Sequence, residues 1–145
     1  MTQEQKELLL KDLCMRLPYG VKVQLPYRSY QTPLKILSIN PNGSAWVTGD
    51  KGYPFEIDWS NCKPYLFPLS SMTNELWDKE FMGCGITEFT RDSFKYGCET
   101  LEFNNDNPHL SSMVRFINQL IKNHFDIYGL IPMGLAEDAT GKNIY

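Results

Sequence analysis

Two histidines, His109 and His124, and four cysteines, Cys14, Cys62, Cys84 and Cys98, are the side chains through which this chain could hold a metal or run nucleophilic catalysis. Cys84 and Cys98 with His109 and His124 make four potential ligands. A structural zinc site takes its ligands as closely spaced pairs, however, and these cysteines lie 48, 22 and 14 residues apart with no CxxC pair. Buried thiols and helix-surface imidazoles are the reading that this spacing favours, with no cofactor. Nucleophilic catalysis needs a nucleophile, a base and an orienting acid in contact. His124 and Asp126 are close in the chain, but there is no GxSxG turn to present a serine and no second motif to complete a triad. His124 is better placed to finish a helix, where a cation meets the negative end of the dipole.

Carboxylates offer two further pairs. Glu56 and Asp58 fall on one face of a strand, since residues two apart share a side. They could hold a cation or exchange protons, although like charges on a wet face are commoner. Glu137-Asp138 reads as solvated. No P-loop and no GxGxxG is present, so nucleotide binding has no motif behind it.

Aromatic residues carry the remaining signal. Tyr19, Tyr27, Tyr30, Trp46, Tyr53, Phe55, Trp59, Tyr65 and Phe67 crowd one stretch of the chain, with Arg28, Lys51 and Lys63 among them. A small sheet needs about half of such rings as core fillers. The others can grip a peptide or stack on bases. Tyr27, Arg28 and Tyr30, in the loop from Pro26 to Pro33, are the candidate binding residues. Tyr and Arg are enriched among interface anchors, and the two prolines lower the cost of ordering the loop.

The elements that must position these residues follow from periodicity. Thr2 and Gln5 have capping-box spacing, and Leu9, Leu13 and Leu17 with Leu10 give one apolar face, which predicts a helix from Thr2 to about Arg16. Pro18 and Gly20 end it. Strands are then predicted at Val21–Leu25, Leu34–Ile39, Ser44–Thr48, Tyr53–Asp58 and Lys63–Phe67, with turns at Asn40–Gly43 and Gly49–Gly52. Thr73 to about Met82 reads as a helix burying Leu76, Trp77 and Phe81. Ile86–Thr90 and Glu99–Phe103 read as short strands. Asn107-Pro108 opens a core-facing helix whose stripe is Leu110, Met113, Val114, Ile117, Leu120 and Ile121, with Ile117 at its buried centre. Asp126 to Tyr145 is expected to be irregular, with Leu130, Ile131, Met133 and Leu135 tucked against the body.

The fold expected is therefore α+β: an N-terminal helix, an antiparallel meander or SH3-like partial barrel of four or five strands, two helices and an irregular tail. It forms a single domain, 1–145, in which 1–68 is the helix plus β unit and 69–145 the mainly helical part. The chain's 145 residues are 42% hydrophobic and 13% aromatic, enough to build a core and too apolar for disorder. No apolar run approaches the 20 or so residues of a membrane span. The first seven residues, polar and acidic, are not a secretion signal, so the expected compartment is the reducing cytoplasm. Net charge is −3: residues 1–68 hold eight Lys/Arg against six Asp/Glu, and 69–145 hold six against eleven. Such a balance provides no basic field to gather phosphates, which disfavours nucleic acid as a partner.

Three stretches stand out as joints between elements: Leu17–Val23 (LPYGVKV), Lys63–Thr73 (KPYLFPLSSMT), and Asn123–Ile131 (NHFDIYGLI) running on to Gly134-Leu135-Ala136. In these the chain resembles a family of small uncharacterised proteins carried by phages and mobile elements of anaerobic gut bacteria. That resemblance implies a shared fold and brings no activity, cofactor or catalytic residue with it. Ile127-Tyr128 stands where a more polar pair is expected, and Glu137–Tyr145 departs from the usual ending. The functional expectation is a non-enzymatic accessory protein that binds an unidentified protein partner. A nucleic-acid-binding small barrel is the first alternative, and a small enzyme acting on a nucleotide or peptide the second.

Overall fold

Thr2 starts the first helix as its spacing predicts. Its hydroxyl accepts from the Gln5 N–H at 3.2 Å, and the Gln5 side chain accepts from the Thr2 N–H at 2.9 Å, so each satisfies a donor that the helix start leaves open. The computed structural model describes residues 1–26, 32–49, 52–98, 101–103 and 110–145. In chain order its elements are helix α1 (Gln3–Arg16), strands β1 (Lys22–Gln24), β2 (Leu34–Ile39), β3 (Ser44–Thr48), β4 (Pro54–Asp58) and β5 (Lys63–Leu66), helices α2 (Asn74–Glu80), α3 (Glu88–Phe94) and α4 (Leu110–Lys122), and strand β6 (Glu137–Asp138). The α+β class expected from the sequence is the class observed. The chain forms two compact units, Met1–Leu66 with Tyr128–Tyr145, and Phe67–Ile127.

In the first unit the sheet order is β4-β3-β2-β1-β5-β6. The first four strands are an antiparallel meander, β5 pairs antiparallel with β1, and β6 adds in parallel to β5. The segment read as irregular thus supplies a sixth strand. The turn predicted at Asn40–Gly43 forms, with Gly43 donating to the Asn40 carbonyl at 3.1 Å; the middle of the turn predicted at Gly49–Gly52 lies outside the described residues, and the Gly52 N–H donates to the Gly49 carbonyl at 3.0 Å. A bulge sits in β2, where Ile36 faces Val47 but Ser38 faces Trp46, leaving Leu37 extra. It resets the pleat, so that Ser38 turns out to water and Ile39 turns in toward the core.

One face of this sheet is dry. Leu9 and Leu13 of α1 share a buried cluster with Val21, Val23, Leu34, Ile36, Ala45 and Val47, and Leu130 and Leu135 complete it. Met133, expected to be tucked in, is exposed. The α1 positions that face the core are 9, 12, 13 and 16, a standard helical stripe, yet two of them are charged. Asp12 and Arg16 form a two-pronged ion pair, Nε to Oδ2 and Nη2 to Oδ1, both at 2.8 Å, with both side chains fully enclosed.

Tyr145 lies in the electrostatic field of that pair. Its hydroxyl donates to the Tyr65 carbonyl at 2.8 Å and accepts from the Lys22 N–H at 3.3 Å. Pro64 has no N–H, so Val23 and Pro64 face each other as a pair without ladder hydrogen bonds, and continuing that register would set Lys22 opposite Tyr65. There the tyrosine hydroxyl is interposed as a bridge. Burial, opposed by the hydrogen bond from Lys22, pushes this hydroxyl up to about 12.

The second unit is built on rings. Trp77 stacks on Phe81 with centroids 5.6 Å apart, and Phe116 meets Phe81 edge-on at 5.5 Å and Trp77 at 6.1 Å. Met72, Ile86, Phe94, Leu120 and Phe125 close the cluster. Residues Glu88–Phe94, which overlap the strand expected at Ile86–Thr90, are helical. Ile86 and Phe103 make a single antiparallel bridge, and the Thr90 hydroxyl accepts from the Glu102 N–H at 2.9 Å. The α4 helix corrects the expected core stripe. Phe116 and Leu120 are buried, whereas Ile117 is 40% exposed, and Leu110 and Val114 are also exposed. The one ring on α4 takes the centre, with Leu120 and Ile121 of the expected stripe buried beside it, and the helix is turned so that Leu110, Val114 and Ile117 lie at the rim. The cap expected at Asn107-Pro108 lies outside the described residues.

Two consequences can be measured by urea denaturation. Phe116→Ala is expected to cost about 3–5 kcal/mol, and Ile117→Ala well under half of that; equal losses would mean that the buried face is wrongly placed. Arg16→Met leaves a carboxylate enclosed without its cation, with an expected loss of about 3–5 kcal/mol, whereas Asp12→Leu combined with Arg16→Met should recover most of the stability.

Candidate functional site

The predicted binding residues Tyr27, Arg28 and Tyr30 lie outside the described residues. The described residues that flank them, Leu25 and Leu34, are buried. The other aromatics of the β unit divide much as a small sheet requires. Trp59 and Tyr65 are buried, and Phe55 packs partly on the core. Tyr19 and Trp46 are half exposed, and Tyr53 is 84% exposed.

Trp46 occupies a particular place among them. It sits in β3 on the solvent face of the sheet, opposite Ser38 of β2 and Glu56 of β4. Opposite partners in an antiparallel pair hold their Cβ atoms about 4.5–5.5 Å apart, so the indole and the Glu56 carboxylate are neighbours. Leu37, the extra residue of the bulge, is 46% exposed on the same face. The bulge therefore places an apolar side chain diagonally beside the indole on a face that would otherwise be polar.

Glu56 and Asp58 do share one face, as the period-two spacing predicts, but their roles differ. Asp58 is a turn cap. One carboxylate oxygen accepts from the Ser60 N–H at 2.8 Å and the Ser60 hydroxyl at 2.7 Å, and the other from Asn61 at 3.0 Å. Glu56 makes no ion pair among the described residues. An open depression beside them is lined by Asn40, Asn42, Gly43, Ser44, Glu56, Ile57 and Asp58. It is polar and shallow, suited to contact with a surface group and not to enclosing a substrate.

The other candidate chemistry resolves into structure. Glu137 pairs with Lys63 at 3.4 Å within the β5–β6 edge, and the Asp138 carboxylate caps the Thr140 N–H at 2.8 Å. His124 ends α4 through its main chain. It has φ 60°, its N–H donates to the Ile121 carbonyl and the Phe125 N–H to that of Leu120, the double bond of a Schellman end with histidine in the position glycine usually holds. Cys84 is buried in the aromatic cluster, Cys98 is exposed beyond α3, and His109 lies outside the described residues. Among the described residues no group of three His, Cys, Asp or Glu converges.

Trp46 was legible as an aromatic in an alternating strand. Its neighbourhood was not, because the β2 bulge and the β4 register set it. Compared with protein-family models, curated proteins and solved structures, the chain matches none.

The thiols give a direct check on this arrangement. Burial pushes Cys62 up to about 12, aided by the Asp58 charge, and burial raises Cys84 as well, against the nearby Arg115. Thiolate is the reactive form, so at pH 8 a disulfide reagent should label exposed Cys14 and Cys98 at once, and Cys62 and Cys84 only after unfolding. Prompt reaction of all four would show that the two buried sites are open.

Proposed function

We propose that this chain is a non-enzymatic protein-interaction module, a cytoplasmic accessory protein of a phage or mobile element, whose contact surface is the solvent face of β2, β3 and β4 around Trp46. The half-exposed indole at the middle of that face carries the reading, with Leu37 beside it. Tryptophan is the commonest energetic anchor of protein interfaces, because a rigid ring buries a large area at low entropic cost. A sheet held rigid from below by α1 presents that ring without a further ordering cost. The resemblance of the three joint motifs supports the phage or mobile-element setting. No helix among the described residues is long and apolar enough to cross a membrane, which is in keeping with the cytoplasmic reading.

Tyr27, Arg28 and Tyr30 stay within this proposal as contact residues by their type. Glu56 favours a protein over a nucleic acid as the partner. A carboxylate directly across from the indole repels the phosphates that base stacking would bring with it, and the chain's net charge of −3 adds no compensating field.

Paired affinity capture from the native host tests the reading. Trp46→Ser combined with Leu37→Ser changes only exposed side chains and should melt within a few degrees of the unaltered protein. A host protein retained by the unaltered chain and lost by the double variant is the expected result. The same proteins retained by both, or a low-salt shift of labelled DNA or RNA that Trp46→Ser abolishes, would overturn it.

A further inference from the structure

The outer edge of β4 has a chemistry of its own. Trp59 donates its N–H to the Gly43 carbonyl at 3.2 Å, which makes 59 and 43 a hydrogen-bonded pair. Such pairs recur at every second residue of an antiparallel ladder, so Ile57–Ala45 and Phe55–Val47 are the next ones. Glu56 and Asp58 then turn their N–H and C=O groups away from β3, and Pro54 turns its C=O the same way. β4 is the last strand of the sheet on this side, and no backbone partner meets these groups among the described residues. Phe55 and Ile57 anchor the strand from beneath.

Resting on the interaction-module reading, we propose that this edge takes up an extended, lysine- or arginine-bearing segment of the protein partner by strand addition, with the partner's cation held between the Glu56 carboxylate and the Trp46 ring. Strands lie about 4.8 Å apart, so a residue directly opposite Glu56 on an added strand has its Cβ next to the carboxylate and two strands from the indole. A Lys or Arg side chain spans that gap along the face of the sheet. Its charge then meets a carboxylate and the negative face of a ring together, a combination that an apolar or acidic side chain cannot use.

The edge is short. Pro54 withholds an N–H, and only Glu56 and Asp58 offer both groups, so main-chain pairing by itself is weak and side-chain recognition must supply the selectivity. The same charges disfavour a second copy of this chain as the occupant. Two β4 edges paired antiparallel would set Glu56 against Glu56 or against Asp58, like charges directly opposed. A basic segment relieves that repulsion.

A displayed library of random peptides, selected on the unaltered protein alone, provides the probe. Enriched peptides should carry Lys or Arg at alternate positions. Each should lose about tenfold or more in affinity against Glu56→Lys and against Trp46→Ser, since one charge-assisted contact is worth about that factor. N-methylation of the peptide at alternate residues, in the phase that faces β4, should abolish binding, and methylation in the other phase should not. Unchanged melting of both variants shows that the losses are not unfolding. Peptides lost by Trp46→Ser but indifferent to Glu56→Lys and to N-methylation would overturn strand addition and leave the interaction module standing. Enrichment of acidic or uncharged peptides would overturn the charge assignment. No enrichment over a Trp46→Ser, Glu56→Lys double variant would overturn both.

Discussion

A fully enclosed carboxylate–guanidinium fork governs the first unit of this protein. Asp12 and Arg16 occupy two of the four core-facing positions of α1, so the helix cannot be docked by apolar burial alone. Removing two charges from water costs several kcal/mol per ion, and only close geometry with further hydrogen bonds compensates for it. That requirement fixes how the helix sits beneath the sheet, because a small rotation would open the fork to partial hydration. Tyr145 lies in the field of the same pair and bridges Lys22 to Tyr65 where β1 and β5 would otherwise share a rung. The returning segment Tyr128–Tyr145 is thus tied to the sheet at β1 and β5 by the Tyr145 hydroxyl, and by Leu130 and Leu135 to the apolar cluster that α1 shares.

The buried fork also explains what the sequence could and could not reveal. Capping, alternation and turn chemistry act within a few residues, and the features they govern appear where expected: the Thr2–Gln5 box, β2 at Leu34–Ile39, β3 at Ser44–Thr48, and the turn at Asn40–Gly43. Asp12 and Arg16 lie at i+3 and i+7 from Leu9 and so share its face, but their charges at i, i+4 also suit an ordinary surface pair, and what packs against them decides between the two. Phe116 was missed for a related reason. A stripe drawn through aliphatic residues points to Ile117, but the ring cluster of Trp77, Phe81 and Phe94 selects the one residue on α4 able to fill its centre. The helix Glu88–Phe94 carries Thr90 and Phe94, residues of strand propensity, and is held by contacts with Glu102 that lie beyond any local window.

The candidate site was legible only as residue types. An exposed Trp in an alternating strand and two acids two residues apart are common, and neither points to the other. Their juxtaposition comes from the register of β3 on β4, of which the Trp59–Gly43 bond is part. Trp59 matters twice in this respect: its ring is buried, and its indole N–H donates to the Asn40 carbonyl at 3.1 Å, which holds the end of β4 against the β2–β3 turn. The buried tryptophan positions the exposed one.

Edge strands in soluble proteins are guarded, and proline with charged side chains is the usual guard. β4 carries both, in Pro54, Glu56 and Asp58. Had protection been the sole constraint, the neighbouring face could have been polar throughout at no cost to the core, because Leu37 and Trp46 point away from it. Instead the largest exposed ring of the sheet stands directly beside the carboxylate that guards its edge. A guard of one sign excludes strands of like charge, including copies of itself, and discriminates less against strands of the opposite charge. Protection and selectivity are then two consequences of the same placement: Glu56 makes the edge unattractive to an indiscriminate partner, and Trp46 makes it adhesive to a cationic one.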